Sequence, residues 1–231
     1  MIGAKPKLEY NFEDNFSQIS ASSRFQTEIK KLWSMVLSRL GENGRKSLLI
    51  CSASRGEGST TVTMGLGHFV AHYAGKNVLL VDANSRGKQL VDLIKKHELV
   101  PLIEEPEDKF GFAFEEFATE IPNLRYLRFQ NPGLLETQLV NSEELKVFVN
   151  IIKKRYDYIL VDAPPILDSN VASSLASCLD AVLFVIAAGC VRYPLLAEAI
   201  SRLDDVRERI LGAVLNKRDY PLPQYLYRLI R

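Results

Sequence analysis

The chain lacks the features that mark membrane-spanning and secreted proteins. Its longest apolar run covers only residues 181–188, whereas a helix needs about 20 apolar residues to cross a bilayer. The N-terminal stretch MIGAKPKLEYNFEDNF contains no apolar signal core. Its three cysteines, Cys51, Cys178 and Cys190, have neither metal-binding nor redox spacing. These absences predict a cytoplasmic protein without a membrane span, which could still reach the inner face of the membrane through a partner.

An excess of charge is also lacking, since 29 Lys and Arg residues balance 28 Asp and Glu residues to a formal net charge of +1. This balance argues against a dedicated nucleic-acid surface. The composition is otherwise that of a globular protein, with 47% hydrophobic and 25% charged residues and no internal repeat. We expect a polar arm over residues 1–21, a single domain over residues 22–220, and a short tail over residues 221–231.

Strand-like and helix-like patterns alternate along the presumed domain. Residues 25–40 carry an apolar stripe with helical spacing, and Gly41 follows as a stop signal. Buried strands are indicated by SLLICSA, NVLLVD, YDYILVD, DAVLFVI and ILGAVLN, with helical segments between them. This alternation predicts an α/β fold, a doubly wound, mostly parallel sheet with helices on both faces. Between residues 87 and 125 the pattern is hard to interpret: RYLRF favours a strand, and FGFAFEEF favours core packing over a docking patch.

The segment SASRGEGSTTV, Ser52 to Val62, resembles a phosphate-binding loop from which the lysine is missing. Such loops follow the pattern G-x-x-x-x-G-K-[ST], but here Gly58 is followed by Ser59 and Thr60. A phosphate cradle needs glycines that expose backbone N–H groups, a helix N-terminus, a hydroxyl for Mg²⁺ and a cation. The segment supplies everything but the cation. The alternative is a tight strand-to-helix turn that needs glycine only for its geometry.

Two strand-end aspartates favour the phosphate loop over the turn. NVLLVD ends in Asp82 and YDYILVD ends in Asp162, and doubly wound folds bind ligands at the carboxyl edge of the sheet. One such aspartate would be weak evidence, because aspartate also caps helices. Two of them together with a glycine loop are much stronger evidence.

The loop and both strand-end motifs together resemble those of the bacterial tyrosine kinases of exopolysaccharide and capsule export. These kinases belong to the deviant Walker-type P-loop ATPases. The family's loop, S-x-x-P-G-E-G-K-S-T-T, aligns without a gap with SASRGEGSTT, its D-x-D-x-R motif with LLVDANSR, and its D-x-P-P motif with ILVDAPPIL. The resemblance extends from about Glu28 to Tyr220.

By position, the resemblance implies a site for ATP or ADP with Mg²⁺. Asp82 and Asp162 would be the catalytic carboxylates, and with Thr60 they would hold the metal. The residues implied to contact the nucleotide are Arg55, Gly56, Glu57, Gly58, Ser59, Thr60, Thr61 and Arg86.

The departures from the family pattern concern charge. Ser59 stands in the place of the lysine, Arg55 in the place of the proline, and Asn84 in the place of the second aspartate. Losing the lysine predicts weak nucleotide binding and impaired phosphoryl transfer, which depends on positioned charge. Arg55, Arg86 and Lys88 are candidates for a substitute cation, although a solvent-facing Arg55 is favoured.

Three functions follow from the resemblance. The first is an impaired kinase-like module that regulates polymer export as the partner of a membrane polysaccharide co-polymerase, or chain-length regulator. The second is a working tyrosine autokinase with a substitute cation, and the third a membrane-positioning ATPase. A homo-oligomer is possible, but the first helix, EIKKLWSMV, keeps only Glu28 of the family's ring-assembly motif. The tail has three tyrosines, Tyr220, Tyr225 and Tyr227, where the family carries a phosphorylated cluster.

Overall fold

The computed structural model describes residues 22–41, 44–84, 90, 114–119, 121–129 and 142–217. Several sequence predictions fall outside these ranges: the arm, the two candidate cations Arg86 and Lys88, and the three tail tyrosines. The domain boundaries therefore stay predictions.

The described residues form seven strands and five α-helices. The strands are β1 (Lys46–Ser52), β2 (Val78–Asp82), β3 (Phe114–Ala118), β4 (Leu124–Phe129), β5 (Tyr158–Asp162), β6 (Ala181–Ala187) and β7 (Ile210–Asn216). The helices are α1 (Ser23–Leu40), α2 (Ser59–His72), α3 (Ser142–Ile152), α4 (Val171–Cys178) and α5 (Tyr193–Ser201), and a 3-10 helix covers Asp204–Arg209.

The strands form one sheet in the order β3-β4-β2-β5-β1-β6-β7. Every neighbouring pair is parallel except β3 and β4. In β2 and β5 every residue is buried, and in β1 all but the first are. This is the continuous apolar run expected of strands covered on both faces. The predicted doubly wound, mostly parallel fold is confirmed.

Helices pack on both faces of the sheet, as the alternation of patterns predicted. On one face lie α1 and α2, where the ring of Trp33 meets that of Tyr158 edge-on with centroids 4.8 Å apart. On the other face lie α3, α4 and α5, where Phe148 packs against Phe114 and Phe129. No helix in the described ranges is both long and apolar enough to span a membrane.

The edge strand β3 comes from the aromatic cluster FGFAFEEF, which the sequence predicted to pack in the core. Phe117 is buried beside the ring of Tyr126, and Phe114 is half-buried. The sequence pattern does not predict this strand, because it contains two glutamates and glutamate is depleted in strands. Here Glu115 forms an ion pair with Arg128 of β4 at 2.6 Å, and Glu116 is buried.

The central strands bring three polar side chains to one edge. β1, β2 and β5 are neighbours and parallel, and they end in Ser52, Asp82 and Asp162. Asp82 and Asp162 are register partners across β2 and β5. The two strand-end aspartates therefore lie side by side next to the loop that follows β1.

Candidate nucleotide site

The glycine loop joins β1 to α2 and bends at two glycines. Gly56 has a φ of 79° and Gly58 a φ of 95°, values that side-chain-bearing residues rarely adopt. Gly58 is the N-cap of α2, and no side chain caps this end of the helix. A helix begins with N–H groups that have no partner within the helix. The start of α2 can therefore offer backbone donors and a positive dipole end to an anion.

Glu57 holds the loop in shape rather than facing its opening. Its carboxylate is buried and accepts hydrogen bonds from the N–H groups of Ser54, at 2.5 Å, and Ala187, at 3.1 Å. Its carbonyl oxygen accepts a third bond, 2.9 Å long, from the side-chain amide of Asn216. The loop is thus fixed to the carboxyl ends of β6 and β7, and Glu57 acts as a support for the proposed nucleotide contacts.

Gly58 is required by the packing of the loop itself. A Cβ atom at this position would overlap the side-chain nitrogen of Asn216. The neighbouring Gly56 differs, because a Cβ there would meet no atom within 4 Å. A larger residue at position 58 would consequently disturb the contact between the loop and Asn216 before any phosphate were present.

Ser59 and Thr60 begin helix α2 beside the strand-end aspartates. Ser59, which replaces the family's lysine, is only 9% exposed. The Thr60 hydroxyl donates a hydrogen bond to Asp162 Oδ2 over 2.7 Å. Thr60 and Asp162, which the resemblance implied as metal-holding residues, are thus in direct contact, while Ser59 carries no charge.

Asp162 is a buried carboxyl group with one unsatisfied oxygen. Burial raises its pKa to about 8, the charge of Asp82 acts in the same direction, and the bond from Thr60 opposes them. Its Oδ1 atom is buried and has no hydrogen-bond partner among the described residues. A buried carboxylate oxygen without a partner is costly, unless a ligand that is absent here satisfies it.

In contrast to those of Asp162, both carboxylate oxygens of Asp82 accept hydrogen bonds. Its Oδ1 accepts from the backbone N–H of Asn84 at 3.0 Å, and its Oδ2 accepts from the N–H of Leu90 at 2.8 Å and the Tyr126 hydroxyl at 3.1 Å. These bonds orient the carboxylate at the end of β2. Asn84, which stands where the resembled family has its second aspartate, is half-buried and carries no charge.

The residues at this strand edge could bind a Mg²⁺ ion that is also coordinated by a nucleotide's phosphates. Mg²⁺ commonly takes one or two carboxylates together with water and phosphate oxygens, and Asp162 Oδ1, Asp82 and the Thr60 hydroxyl could supply the protein's share. No group of three or more His, Cys, Asp or Glu side chains suited to a metal occurs in the described ranges.

Arg55 projects from the loop and forms an ion pair. Its Nε lies 2.7 Å from Asp168 Oδ2, and the two side chains are 58% and 34% exposed. The interpretation of Arg55 as solvent-facing therefore describes its exposure but misses its partner. Nothing in the sequence singled out Asp168, which follows the D-x-P-P motif by a few residues.

The structure brings most of the implied site residues together. The loop residues 55–60, Asp82 and Asp162 surround the carboxyl ends of β1, β2 and β5. Thr61 lies half-buried in the first turn of α2, and Arg86 is outside the described residues. Sequence reasoning missed Asn216 and Tyr126, since their contacts with the loop and Asp82 depend on tertiary packing.

Helix α2 carries two histidines with the i, i+4 spacing that can bind a metal. His68 and His72 lie one turn apart, with ring centroids 5.5 Å apart. Burial lowers the pKa of His68, and His72 acts in the same direction. Among the described residues, the pair is not part of any group of three or more His, Cys, Asp or Glu side chains that could hold a metal.

Comparison with curated proteins finds tyrosine-protein kinases and also a ParA family protein of Chlamydia trachomatis, 25% identical over 134 residues. The chain is 27% identical over 181 residues to the tyrosine-protein kinase CpsD of Streptococcus pneumoniae serotype 4, covering 78% of this chain and 79% of that protein. It is 29% identical over 174 residues to the tyrosine-protein kinase YwqD of Bacillus subtilis, covering 74% and 72%. No family model matches the chain.

Solved structures agree on the fold. The chimerical protein CapA2B2 superposes with a TM-score of 0.67 at 18% identity, over 87% of both chains. The kinase domain of the Escherichia coli tyrosine kinase ETK gives 0.64 at 19% identity, over 87% of this chain and 79% of that one. Cobyrinic acid a,c-diamide synthase from Mycobacterium smegmatis, solved with an ATP analog and magnesium, gives 0.58 at 16% identity over 80% and 78%. The chain is thus similar in sequence to bacterial tyrosine-protein kinases and shares the P-loop fold of their solved kinase domains.

Proposed function

We propose that the chain is a kinase-like P-loop protein of exopolysaccharide or capsule biosynthesis. It binds adenine nucleotides weakly with Mg²⁺, is impaired in phosphoryl transfer, and regulates a membrane polysaccharide co-polymerase as its partner. One observation carries the proposal. The cradle, the Thr60–Asp162 pair and Asp82 are all in place, but the position that should carry the lysine holds a nearly buried serine.

The missing charge should lower the rate of phosphoryl transfer more than it lowers the affinity for nucleotide. A charged hydrogen bond is worth about 1.5–3 kcal/mol, so affinity would fall by roughly one to two orders of magnitude. Loss of one preorganised donor costs about 10²–10³ in rate. Because Asn84 also removes a carboxylate from the metal's surroundings, turnover suffers more than binding.

Each residue of the cradle has a role in nucleotide binding. Backbone N–H groups of the loop and of the first turn of α2 bind phosphate oxygens, while Glu57 and Asn216 keep the loop in shape. Thr60 and Asp162 face the metal, and Asp82 is held beside them. Mg²⁺, when bound with the nucleotide, neutralises phosphate charge.

The regulatory role and the partner are supported by the resemblance alone. The resemblance implies a membrane polysaccharide co-polymerase as the partner, and a module that has lost turnover could still respond to a bound nucleotide. The resemblance also implies a cytoplasmic place at the inner face of the membrane.

An active autokinase is the second candidate. The observation that favours it is Arg55, a cation within the loop. A guanidinium that reached the transferred phosphoryl group could restore part of the lost stabilisation.

Calorimetric titration of the full chain with Mg²⁺-ADP and Mg²⁺-ATP, combined with an ATP turnover assay, tests the proposal. We expect weak binding and no turnover above that of an Asp82→Asn variant, which keeps the shape of the carboxylate. Turnover that Asp82→Asn abolishes would establish the autokinase alternative instead. No heat and no thermal shift at millimolar nucleotide would overturn both candidates.

A further inference from the structure

We infer that Arg55 supplies the nucleotide's phosphates with the positive charge that position 59 lacks, and that its ion pair with Asp168 is the resting contact with which a phosphate competes. The inference rests on the proposed nucleotide site. It concerns binding and names two residues outside the Thr60, Asp82 and Asp162 group.

The backbone places the two residues on segments that run side by side. The chain after β5 donates hydrogen bonds to the start of the loop, from the Ile166 N–H to the Ser52 carbonyl at 2.9 Å and from the Leu167 N–H to the Ala53 carbonyl at 3.3 Å. Asp168 follows directly, and its carboxylate lies 2.7 Å from Arg55 Nε. The ion pair therefore joins the phosphate loop to the segment that follows Asp162.

The guanidinium of Arg55 has N–H donors that its bond to Asp168 does not use. Only its Nε donates to Asp168, and among the described residues its two terminal nitrogens have no partner. Arginine carries five N–H donors in a planar fork, which suits two-pronged binding of phosphate. Arg55 could consequently keep its bond to Asp168 and still donate to a phosphate oxygen.

Asp168 has two opposed effects on an incoming phosphate. It restricts Arg55 to the neighbourhood of the loop, but its negative charge also competes for the guanidinium and repels the phosphate. Both side chains are substantially exposed, and exposed ion pairs of this kind are weak. A phosphate can therefore displace Asp168 from the guanidinium at little cost.

This balance predicts effects of opposite sign for the two partners. Arg55→Ala should weaken Mg²⁺-ADP binding about three- to tenfold, because it removes the charge. Asp168→Asn should leave ADP binding equal or tighten it by up to about threefold, because it removes the competing anion. If the pair were only a surface contact that shapes the loop, both variants should weaken binding together.

The test is calorimetric titration of the full chain with Mg²⁺-ADP and with adenosine, for wild type, Arg55→Ala, Arg55→Lys and Asp168→Asn. Lys76→Ala is the charge-matched control, since Lys76 is exposed just before β2 at the opposite edge of the sheet. Far-UV circular dichroism and thermal melts check that each variant folds.

The expected result is the weakest ADP binding in Arg55→Ala and a smaller loss in Arg55→Lys. ADP binding should not weaken in Asp168→Asn or Lys76→Ala, and adenosine binding should be unchanged throughout. ADP binding by wild type that Arg55→Ala leaves unchanged would overturn this inference while the proposed nucleotide site stands. Parallel weakening in Arg55→Ala and Asp168→Asn would also overturn it. Absence of ADP binding by wild type would overturn the proposed function together with the inference.

Discussion

Gly58 and Gly56 show, at the scale of single residues, that the loop's two glycines are required for different reasons. Both have positive φ, but only at Gly58 would a Cβ overlap another side chain, that of Asn216. Asn216 in turn holds the loop through the carbonyl oxygen of Glu57. The glycines are visible in the sequence, but the contact with Asn216 is not. Asn216 lies 158 residues from Gly58 at the end of β7, which reaches the loop only by pairing with β6 in the folded sheet.

The two glycines make a matched pair of variants. Gly56→Ala should lower the free energy of unfolding by about 1–2 kcal/mol, through its positive φ alone. Gly58→Ala should cost about 1–3 kcal/mol more, because it adds overpacking against Asn216. Urea unfolding measures both. Adding Asn216→Ala to Gly58→Ala should recover part of the loss; equal losses in the two single variants would contradict this account of the loop.

The strands, at the scale of elements, differ in how far the sequence predicts them. β1, β2 and β5 were predictable because both faces are buried, which leaves an uninterrupted apolar run. Parallel pairing then sets Asp82 beside Asp162, as their strand-end positions predicted. β3 was not predictable as a strand, since its glutamates find partners only in the tertiary structure: Arg128 for Glu115, and Tyr156 for one oxygen of Glu116.

The buried glutamate of β3 should make stability depend on pH. Burial raises the pKa of Glu116, while the bond from the Tyr156 hydroxyl, 2.8 Å long, and the charges of Arg155 and Arg125 oppose the shift. With a folded pKa above the unfolded one, the contribution to stability is fully present below the ordinary pKa of glutamate. It is lost as the pH rises through the folded pKa.

Urea unfolding across this pH window tests the assignment. In Glu116→Gln, the decline of the unfolding free energy with rising pH should be smaller than in wild type, because the titrating group is gone. The control is Glu143→Gln on α3, whose side chain is 71% exposed, and its profile should follow that of wild type. Identical profiles for Glu116→Gln and wild type would show that Glu116 titrates alike in both states.

The whole molecule combines an intact fold with an altered charge set. Family and fold could be predicted because the loop and the two aspartate motifs survive in order and spacing. The ion pair between Arg55 and Asp168 could not be predicted, because exposed side chains choose partners by proximity in the folded chain.

Phosphorylation of the tail tests the proposed loss of phosphoryl transfer. Incubation with Mg²⁺-ATP should leave the intact mass unchanged, since neither Ser59 nor Asn84 supplies the charge that phosphoryl transfer needs. The Ser59→Lys and Asn84→Asp double variant should gain more activity than the sum of the single variants, because residues that stabilise one transition state act as a unit. Near-stoichiometric phosphate on Tyr220, Tyr225 or Tyr227 of the native chain would refute the impaired-kinase proposal.

The central claim is that the loop is a phosphate cradle that has lost its charge. Calorimetric titration of wild type and Ser59→Lys with Mg²⁺-ADP tests it most directly. The account predicts that Ser59→Lys binds more tightly by about 1.5–3 kcal/mol, the value of a charged hydrogen bond, because the backbone cradle is already in place to receive that side chain. Unchanged or weaker binding in Ser59→Lys would contradict it, and SASRGEGSTTV would then be only a turn between β1 and α2.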